Sequence, residues 1–280
     1  MGGCRSKYSL SVTAVKAPQQ LIVTVYGLYA REEGGWLSVS SLIELLAELE
    51  VDEPAVRSSV SRLKRSGILA AERVDGVAGY GLSQQARAML DQGDRRIFER
   101  PRARPGDGWL LAVFSVPESQ RQQRHTLRSR LTWLGFGTVA AGVWVAPAHL
   151  LAETRDVLER DGLASYVDLF RADYLAFGDV RDQVRRWWDL GQLQRQYDDF
   201  WHSYSPVLAS WKRRRSAAEA EAFRDYVRAL TAWRRLPYLD PGLSDDVLPP
   251  DWRGARAADL FFALRDRLSQ PAHRHVEQIR

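Results

Sequence analysis

The stretch Asp52-Glu53-Pro54-Ala55-Val56-Arg57-Ser58-Ser59-Val60-Ser61-Arg62-Leu63-Lys64-Arg65-Ser66-Gly67 carries the start and stop signals of one short helix. Asp52 suits the N-cap, Glu53 and Pro54 suit the first turn, and Gly67 suits the left-handed position after the last turn. With about 100° of rotation per residue, Val56, Val60 and Leu63 fall on one side, while Arg57, Ser58, Ser61, Arg62 and Arg65 fan over the other. Arginine reads guanine edges in a DNA major groove, and arginine, lysine and serine hold phosphates. Taken alone, the plainer reading is a surface helix whose charged side is solvated. The flanks change that.

Upstream, Leu21, Ile22, Val25, Leu28 and Tyr29 recur at helical spacing, which predicts a first helix over 18–31. Gly34-Gly35 turns the chain, Trp36 to Val39 reads as a short strand, and Ser40 or Ser41 caps a second helix carrying Leu42, Ile43, Leu45, Leu46 and Leu49. Downstream, Ile68 to Val74 reads as a strand, Asp75 to Gly79 as a turn and Tyr80 to Leu82 as the return strand. Ser83 then caps a helix that ends in Arg95-Arg96. Helix, helix, basic helix and hairpin is the order of a winged helix-turn-helix, and with it DNA binding becomes the better reading. Arg57, Ser58, Ser61 and Arg62 are then the candidates for base or phosphate contact. Lys64 and Arg65 neutralise phosphate, and Arg73, Gly76 and Tyr80 belong to the wing at the flank.

Beyond residue 97 the composition shifts. Arg95, Arg96, Arg100, Arg102 and Arg104, with Pro101, Pro105 and Gly106, make a cationic, proline-broken linker centred on 98–108, read either as an unstructured spacer or as a strap across phosphates. Over 109–176 an apolar strand from Trp109 to Val116 is followed by a basic amphipathic helix (118–134), a strand or hairpin through Val145, a helix (147–162) and a strand at 166–170. That β-α-β-(β)-α-β order predicts a ferredoxin-like module. Residues 177–280 read as a helical domain: 179–213 broken near Gly191, then 217–235, then 255–269. The fold class expected is therefore α+β, with an N-terminal winged helix-turn-helix (18–97), a central ferredoxin-like domain and a C-terminal helical domain, after a floppy segment at 1–17.

At 280 residues, with 45% hydrophobic and 10% aromatic content, the chain has enough apolar side chains for several packed cores and is not a disordered sequence. Its net charge of +5 and pI near 9.5 fit a polyanionic partner. A single cysteine, Cys4, supports neither a disulfide framework nor a thiolate metal site. With no apolar run near the ~20 residues of a membrane span and no signal-peptide core in residues 1–17, the expected place is the cytoplasm.

The assembled pattern resembles the PaaX family of repressors of phenylacetate degradation. The resemblance covers residues 18–278 and rests on Ala55 to Leu63 with Gly67-Ile68-Leu69, on Gly79-Tyr80-Gly81-Leu82-Ser83, and on Gly135-Phe136-Gly137 followed by Gly142-Val143-Trp144-Val145-Ala146-Pro147. Further support comes from Trp233-Arg234-Arg235-Leu236-Pro237, Asp240-Pro241-Gly242-Leu243 and Leu248 to Gly254. Departures are small: Arg253 follows Trp252 where the family pattern has Pro-Gly, and Val77-Ala78 stands between the wing glycines. The resemblance implies a homodimer on roughly palindromic double-stranded operator DNA. It also implies a middle domain similar to a small CRISPR-associated nuclease, and release by an aryl-CoA thioester, typically phenylacetyl-CoA. Trp144, Arg171, Tyr204 and Trp211 are candidate effector contacts.

Rival classes find less in the chain. A nuclease built on the middle domain needs carboxylates at the end of its first strand to hold a divalent metal; the strand ends Phe114-Ser115-Val116-Pro117, with serine where the resemblance puts aspartate. An enzyme acting on a CoA thioester needs an activated nucleophile, and no glycine-flanked serine motif occurs. His125, His149, His202, His273 and His275 are scattered and read as surface or core residues. RNA binding by the sheet lacks paired exposed aromatics. No catalytic residue, metal site or cofactor is expected.

Overall fold

The computed structural model describes residues 18–31, 34–175, 177–214 and 218–280. The expectations placed on residues 1–17, including Cys4, lie outside the described residues. The fold is α+β, with a three-stranded and a four-stranded antiparallel sheet and a helical C-terminal part. Contacts group the chain into two units. One holds residues up to Asp94 with Gln196–Arg234 and Arg253–Arg280; the other holds Arg95–Arg195 and Arg235–Trp252.

The first unit opens with α1 (Pro18–Val25), which continues through a π-helical turn at Tyr26–Ala30. Its stripe of Leu21, Ile22, Val25, Tyr26 and Tyr29 is buried. After β1 (Trp36–Ser38), α2 (Val39–Glu48) is capped by Ser38, whose hydroxyl accepts from the Ser41 amide at 3.0 Å. The cap thus lies ahead of the expected Ser40 or Ser41. Ser38 has the extended backbone a cap needs, whereas Ser41 is buried and donates to the Ile279 carbonyl. Helix α3 (Glu53–Arg65) starts where Asp52 accepts from the Ala55 amide at 2.8 Å. Gly67 follows it at φ +73°.

Strands β2 (Leu69–Val74) and β3 (Val77–Leu82) form a hairpin, and β1 pairs with β3 on its other side. The turn is Asp75-Gly76 alone, both at positive φ, so it is tighter than the five-residue turn expected and Val77 to Gly79 belong to the strand. Asp-Gly is a favoured pair for a two-residue hairpin turn because its twist matches that of the strands. Gly79 has no room for a side chain: a Cβ there would stand 2.4 Å from the Leu37 carbonyl and the Trp36 ring. Helix α4 (Gln84–Asp94) follows, with Ser83 accepting from the Ala86 amide.

The second unit runs β4 (Trp109–Phe114), α5 (Arg121–Trp133), β5 (Gly137–Ala140), β6 (Val143–Pro147), α6 (Leu151–Arg160) and β7 (Val167–Ala172), in the spatial order β5-β6-β4-β7. One sheet face carries Leu110, Ala112, Trp144 and Ala146 into a core shared with Leu127, Leu131, Val157 and Leu158. Helix α7 (Val180–Trp187) brings Trp187 and Trp188 against Trp109, with ring centroids 5.5 and 6.1 Å away. The helical run breaks at Trp188-Asp189, close to the expected position near Gly191, because Asp189 caps α8 (Leu190–Arg213) by accepting from the Gln192 amide.

Three arginines at or beside the linker have partners inside this unit. Arg96 is buried, pairs with Glu153 at 2.9 Å and lies over the rings of Trp133 and Tyr238. Arg100 pairs with Asp240 at 3.5 Å, and Arg102 donates to the Leu243 carbonyl at 2.8 Å. Both readings of the linker treated these guanidinium groups as exposed; the structure corrects that, because each is tied to a folded neighbour.

In the first unit, α9 (Glu219–Trp233) packs along α11 (Gly254–Ile279), while the short α10 (Leu236–Leu239) belongs to the second unit. Helix α11 runs ten residues past its expected end at 269, through Pro271. A proline removes one backbone bond, but Leu264, Leu268, Ala272 and Val276 bury a continuous stripe across it. His273 to His275 are consequently in a formed helix: Arg274 pairs with Glu219 and His275 with Glu48, each at 2.6 Å. Trp233 is fully buried and stacks on Phe261 at 4.9 Å. Replacing Trp233 by Ala is expected to cost about 3–5 kcal/mol, read from urea unfolding followed by circular dichroism. A loss below about 1 kcal/mol would show that this contact is not central to the core.

Candidate nucleic-acid interface

Helix α3 packs on α1 and α2 through Val56, Ser59, Val60 and Leu63, all buried. Because those positions are buried, Arg57, Ser58, Ser61, Arg62, Lys64 and Arg65 all face outward and are exposed. The hairpin stands in the same unit, and its fixed point is Tyr80. The buried Tyr26 hydroxyl donates to the Tyr80 carbonyl at 2.9 Å, and Lys64 lies 5.9 Å from the centre of the Tyr80 ring. Burial pushes the Tyr26 hydroxyl well above the usual tyrosine range, so it remains a neutral donor. Arg73 folds back onto the hairpin tip and donates to the exposed Gly76 carbonyl at 3.0 Å. The nine sequence-predicted residues are therefore collected in one unit, six on α3 and three on the hairpin.

Charge is organised along α3. Asp52 and Glu53 stand at the N-terminus, and Arg62, Lys64 and Arg65 in the last turn, which suits the helix dipole. Arg57 is held by Glu53, with its Nη2 2.6 Å from the carboxylate. Arg62 reaches Ser59 Oγ at 3.2 Å. Glu53 enters the site as an internal anion competing for Arg57, a role not read from the sequence. Its signal was present in the four-residue spacing of Glu53 and Arg57, which places the two on one helix face. Trp36, which lies over Gly79 and donates to the Glu72 carbonyl at 3.5 Å, also carried no local signal.

The four candidate effector residues are not drawn into one unit. Trp144 is 5% exposed on the core face of the four-stranded sheet, and Arg171, at its edge, donates to the Asp107 carbonyl. In the other unit the Tyr204 hydroxyl donates to the Arg228 carbonyl and Trp211 Nε1 to Asp225 at 2.7 Å.

Within the second unit, His149 lines a small cavity with Arg96, Arg100, Arg102, Asp240 and Gly242. Its Nδ1 is buried without a hydrogen-bond partner among the described residues. Burial, followed by the Arg96 guanidinium, holds its pKa below the usual histidine value, against a smaller opposing pull from Asp107 and Asp240. A depressed histidine means that the unfolded chain binds a proton which the folded chain refuses. This group's contribution to stability is therefore intact above the ordinary histidine pKa of about 6.5 and is lost as pH falls below it. Urea midpoints at pH 5 and pH 7.5 are expected to lie closer together in His149→Gln than in the parent chain. An unchanged difference would mean that His149 protonates freely in the folded state.

The architecture is that of a mixed α+β chain in which a basic helix is presented beside a β-hairpin. Three models of one family match it in succession: PaaX-like protein over residues 17–86, PaaX protein central Cas2-like domain over 102–184, and PaaX-like protein C-terminal domain over 188–278. The chain belongs to the PaaX family. It is 27% identical over 265 residues to the transcriptional repressor PaaX of Escherichia coli (strain K12), a match spanning 92% of this chain and 82% of that protein. The solved structure of the uncharacterized protein Rv0674 from Mycobacterium tuberculosis is similar in fold. It has a TM-score of 0.59 and 22% identity, over 93% of this chain and 98% of that one.

Proposed function

We propose that this protein is a cytoplasmic DNA-binding transcriptional repressor, without enzymatic activity, whose winged helix-turn-helix inserts α3 into the major groove. The observation that carries the reading is the outward row of Arg57, Ser58, Ser61 and Arg62, held there by burial of Val56, Val60 and Leu63. The named function of the Escherichia coli relative supports it. Arg57 and Arg62 pair with guanine edges or phosphate, Ser58 and Ser61 supply shorter donors, Lys64 and Arg65 neutralise the backbone, and Arg73, Gly76 and Tyr80 meet the flank. In a homodimer two such helices occupy major grooves one turn apart on a roughly palindromic operator. An aryl-CoA thioester such as phenylacetyl-CoA releases the DNA by binding more tightly to a form that cannot match that spacing.

Fluorescence anisotropy on duplex DNA from upstream of the protein's own gene, against random duplex, tests the reading. Tight binding to the upstream DNA, abolished by phenylacetyl-CoA, is expected; equal affinity for both duplexes would overturn it, and specific binding indifferent to the thioester would overturn the effector alone. Arg57→Ala or Arg62→Ala is expected to cost about 1–3 kcal/mol on the specific duplex if the residue contacts guanine bidentately. An equal loss on random DNA would make that residue a phosphate contact. Glu53→Gln frees Arg57 and removes a negative charge facing the DNA, so binding to random duplex is expected to tighten. Unchanged binding in the same titration would show that the pair with Glu53 does not hold Arg57 back.

A further inference from the structure

We infer that one flank of α5, in the second unit, is a sequence-independent contact for the phosphates of duplex DNA. Between Asp107 and Glu153 the chain carries four arginines, Arg121, Arg124, Arg128 and Arg130, and a single carboxylate, Glu118. All four arginines lie on α5, where burial of Leu127 and Leu131 fixes the direction of each. At about 100° per residue, Arg121, Arg124 and Arg128 share one flank of the helix and Arg130 takes the other. There Arg130 is neutralised by Asp161, at the end of α6. The row of three remains.

Arg121 and Arg128 are exposed, and their guanidinium groups have no hydrogen-bond or ion-pair partner among the described residues. Arg124 is braced: it donates to the Val116 carbonyl at 2.7 Å and pairs at 2.9 Å with Glu118, itself 79% exposed. Arg124 and Arg128 border an open cleft against the β5–β6 hairpin, and no carboxylate lines it among the described residues. Ser115 and Thr138, which also line it, are exposed and carry hydroxyls of the kind that hold phosphate oxygens. A merely solvated helix face mixes its signs, as α6 does with Glu153, Arg155, Asp156, Glu159 and Arg160. This flank of α5 does not.

The spacing and exposure of the row select its occupant. From Arg121 to Arg128 the helix rises about 10 Å, a length over which one DNA strand presents about three phosphates. A lone anion at an exposed guanidinium is largely screened by salt, whereas a polyanion releases counterions at every contact it makes. An open row of unpaired arginines therefore suits a phosphate backbone better than a small anion. This contact adds to DNA binding through α3, the reading on which it rests, and recognises no base.

Anisotropy titrations of the full chain at several salt concentrations test it, on the upstream duplex, on random duplex and on an RNA duplex. In the double variant Arg121→Gln, Arg128→Gln, the slope of log affinity against log salt on DNA is expected to become shallower by about two, since each phosphate contact contributes roughly 0.9. Affinity at low salt is expected to fall of order tenfold on both DNA duplexes alike, with the preference for the upstream duplex kept. Glu118→Gln, which frees Arg124, is expected to tighten both, a gain that misfolding cannot mimic. The double variant Arg186→Gln, Arg195→Gln removes the same charge from exposed positions elsewhere in the unit and is expected to leave the slope as it is. An unchanged slope in the α5 variant, or an equal change in the control, would overturn the α5 contact while leaving α3 as the reading helix. Equal affinity of the parent for both DNA duplexes would overturn specific reading by α3, and a shallower slope on random duplex would still support the α5 contact. A loss confined to the RNA duplex would overturn the choice of DNA.

Discussion

Burial of Val56, Val60 and Leu63 against α1 and α2 is the constraint on which the interface depends. Each such side chain contributes on the order of 1.5–3 kcal/mol when fully removed from water. A helix turns rigidly, so burying that stripe fixes the direction of every other side chain on α3. No separate interaction is needed to aim the arginines; the apolar stripe does so. The hairpin is positioned by longer-range contacts: the Tyr26 hydroxyl on the Tyr80 carbonyl and the Trp36 ring over Gly79. The first ties the β2–β3 hairpin to the helical start of the chain, and the second ties it to β1.

The same unit extends to the end of the chain. Helix α11 is attached to the N-terminal helices at several points: Ser41 donates to the Ile279 carbonyl, Glu48 meets His275, and Arg280 donates to the Tyr29 carbonyl. From α9, Thr231 donates to Thr24 at 2.8 Å, and Arg228 pairs with Glu50 at 3.4 Å. These partners lie more than 170 residues apart in sequence, so the helices that support α3 are supported in turn by the C-terminal part. A change in α9 or α11 has a direct physical path to α2 and from there to the basic face.

Local chemistry made much of this legible in advance. The Asp52 cap, the terminal Gly67 and the alternation of valine and arginine define α3 within sixteen residues, and Asp-Gly marks the hairpin. The strands of the second sheet showed themselves as apolar runs bounded by glycine and proline. What local pattern did not show came from tertiary packing. Ser38 rather than a neighbouring serine caps α2 because Ser41 is buried against α11. Helix α11 passes through Pro271 because its apolar stripe continues on both sides. The arginines at 96, 100 and 102 read as a free cationic segment, yet their partners Glu153, Asp240 and the Leu243 carbonyl come from distant parts of the sequence. The Glu53–Arg57 pair was visible in spacing alone.

Guanine-N7 methylation interference on the upstream duplex tests the placement of α3 most directly. N7 lies in the major groove, so a methyl group there blocks a bidentate arginine without altering the phosphates. Interference is expected at two clusters of guanines about 10 base pairs apart, centre to centre, with one contact per half-site disappearing in Arg57→Ala or Arg62→Ala. Specific binding that no major-groove methyl group disturbs would contradict the assignment of α3 as the reading helix.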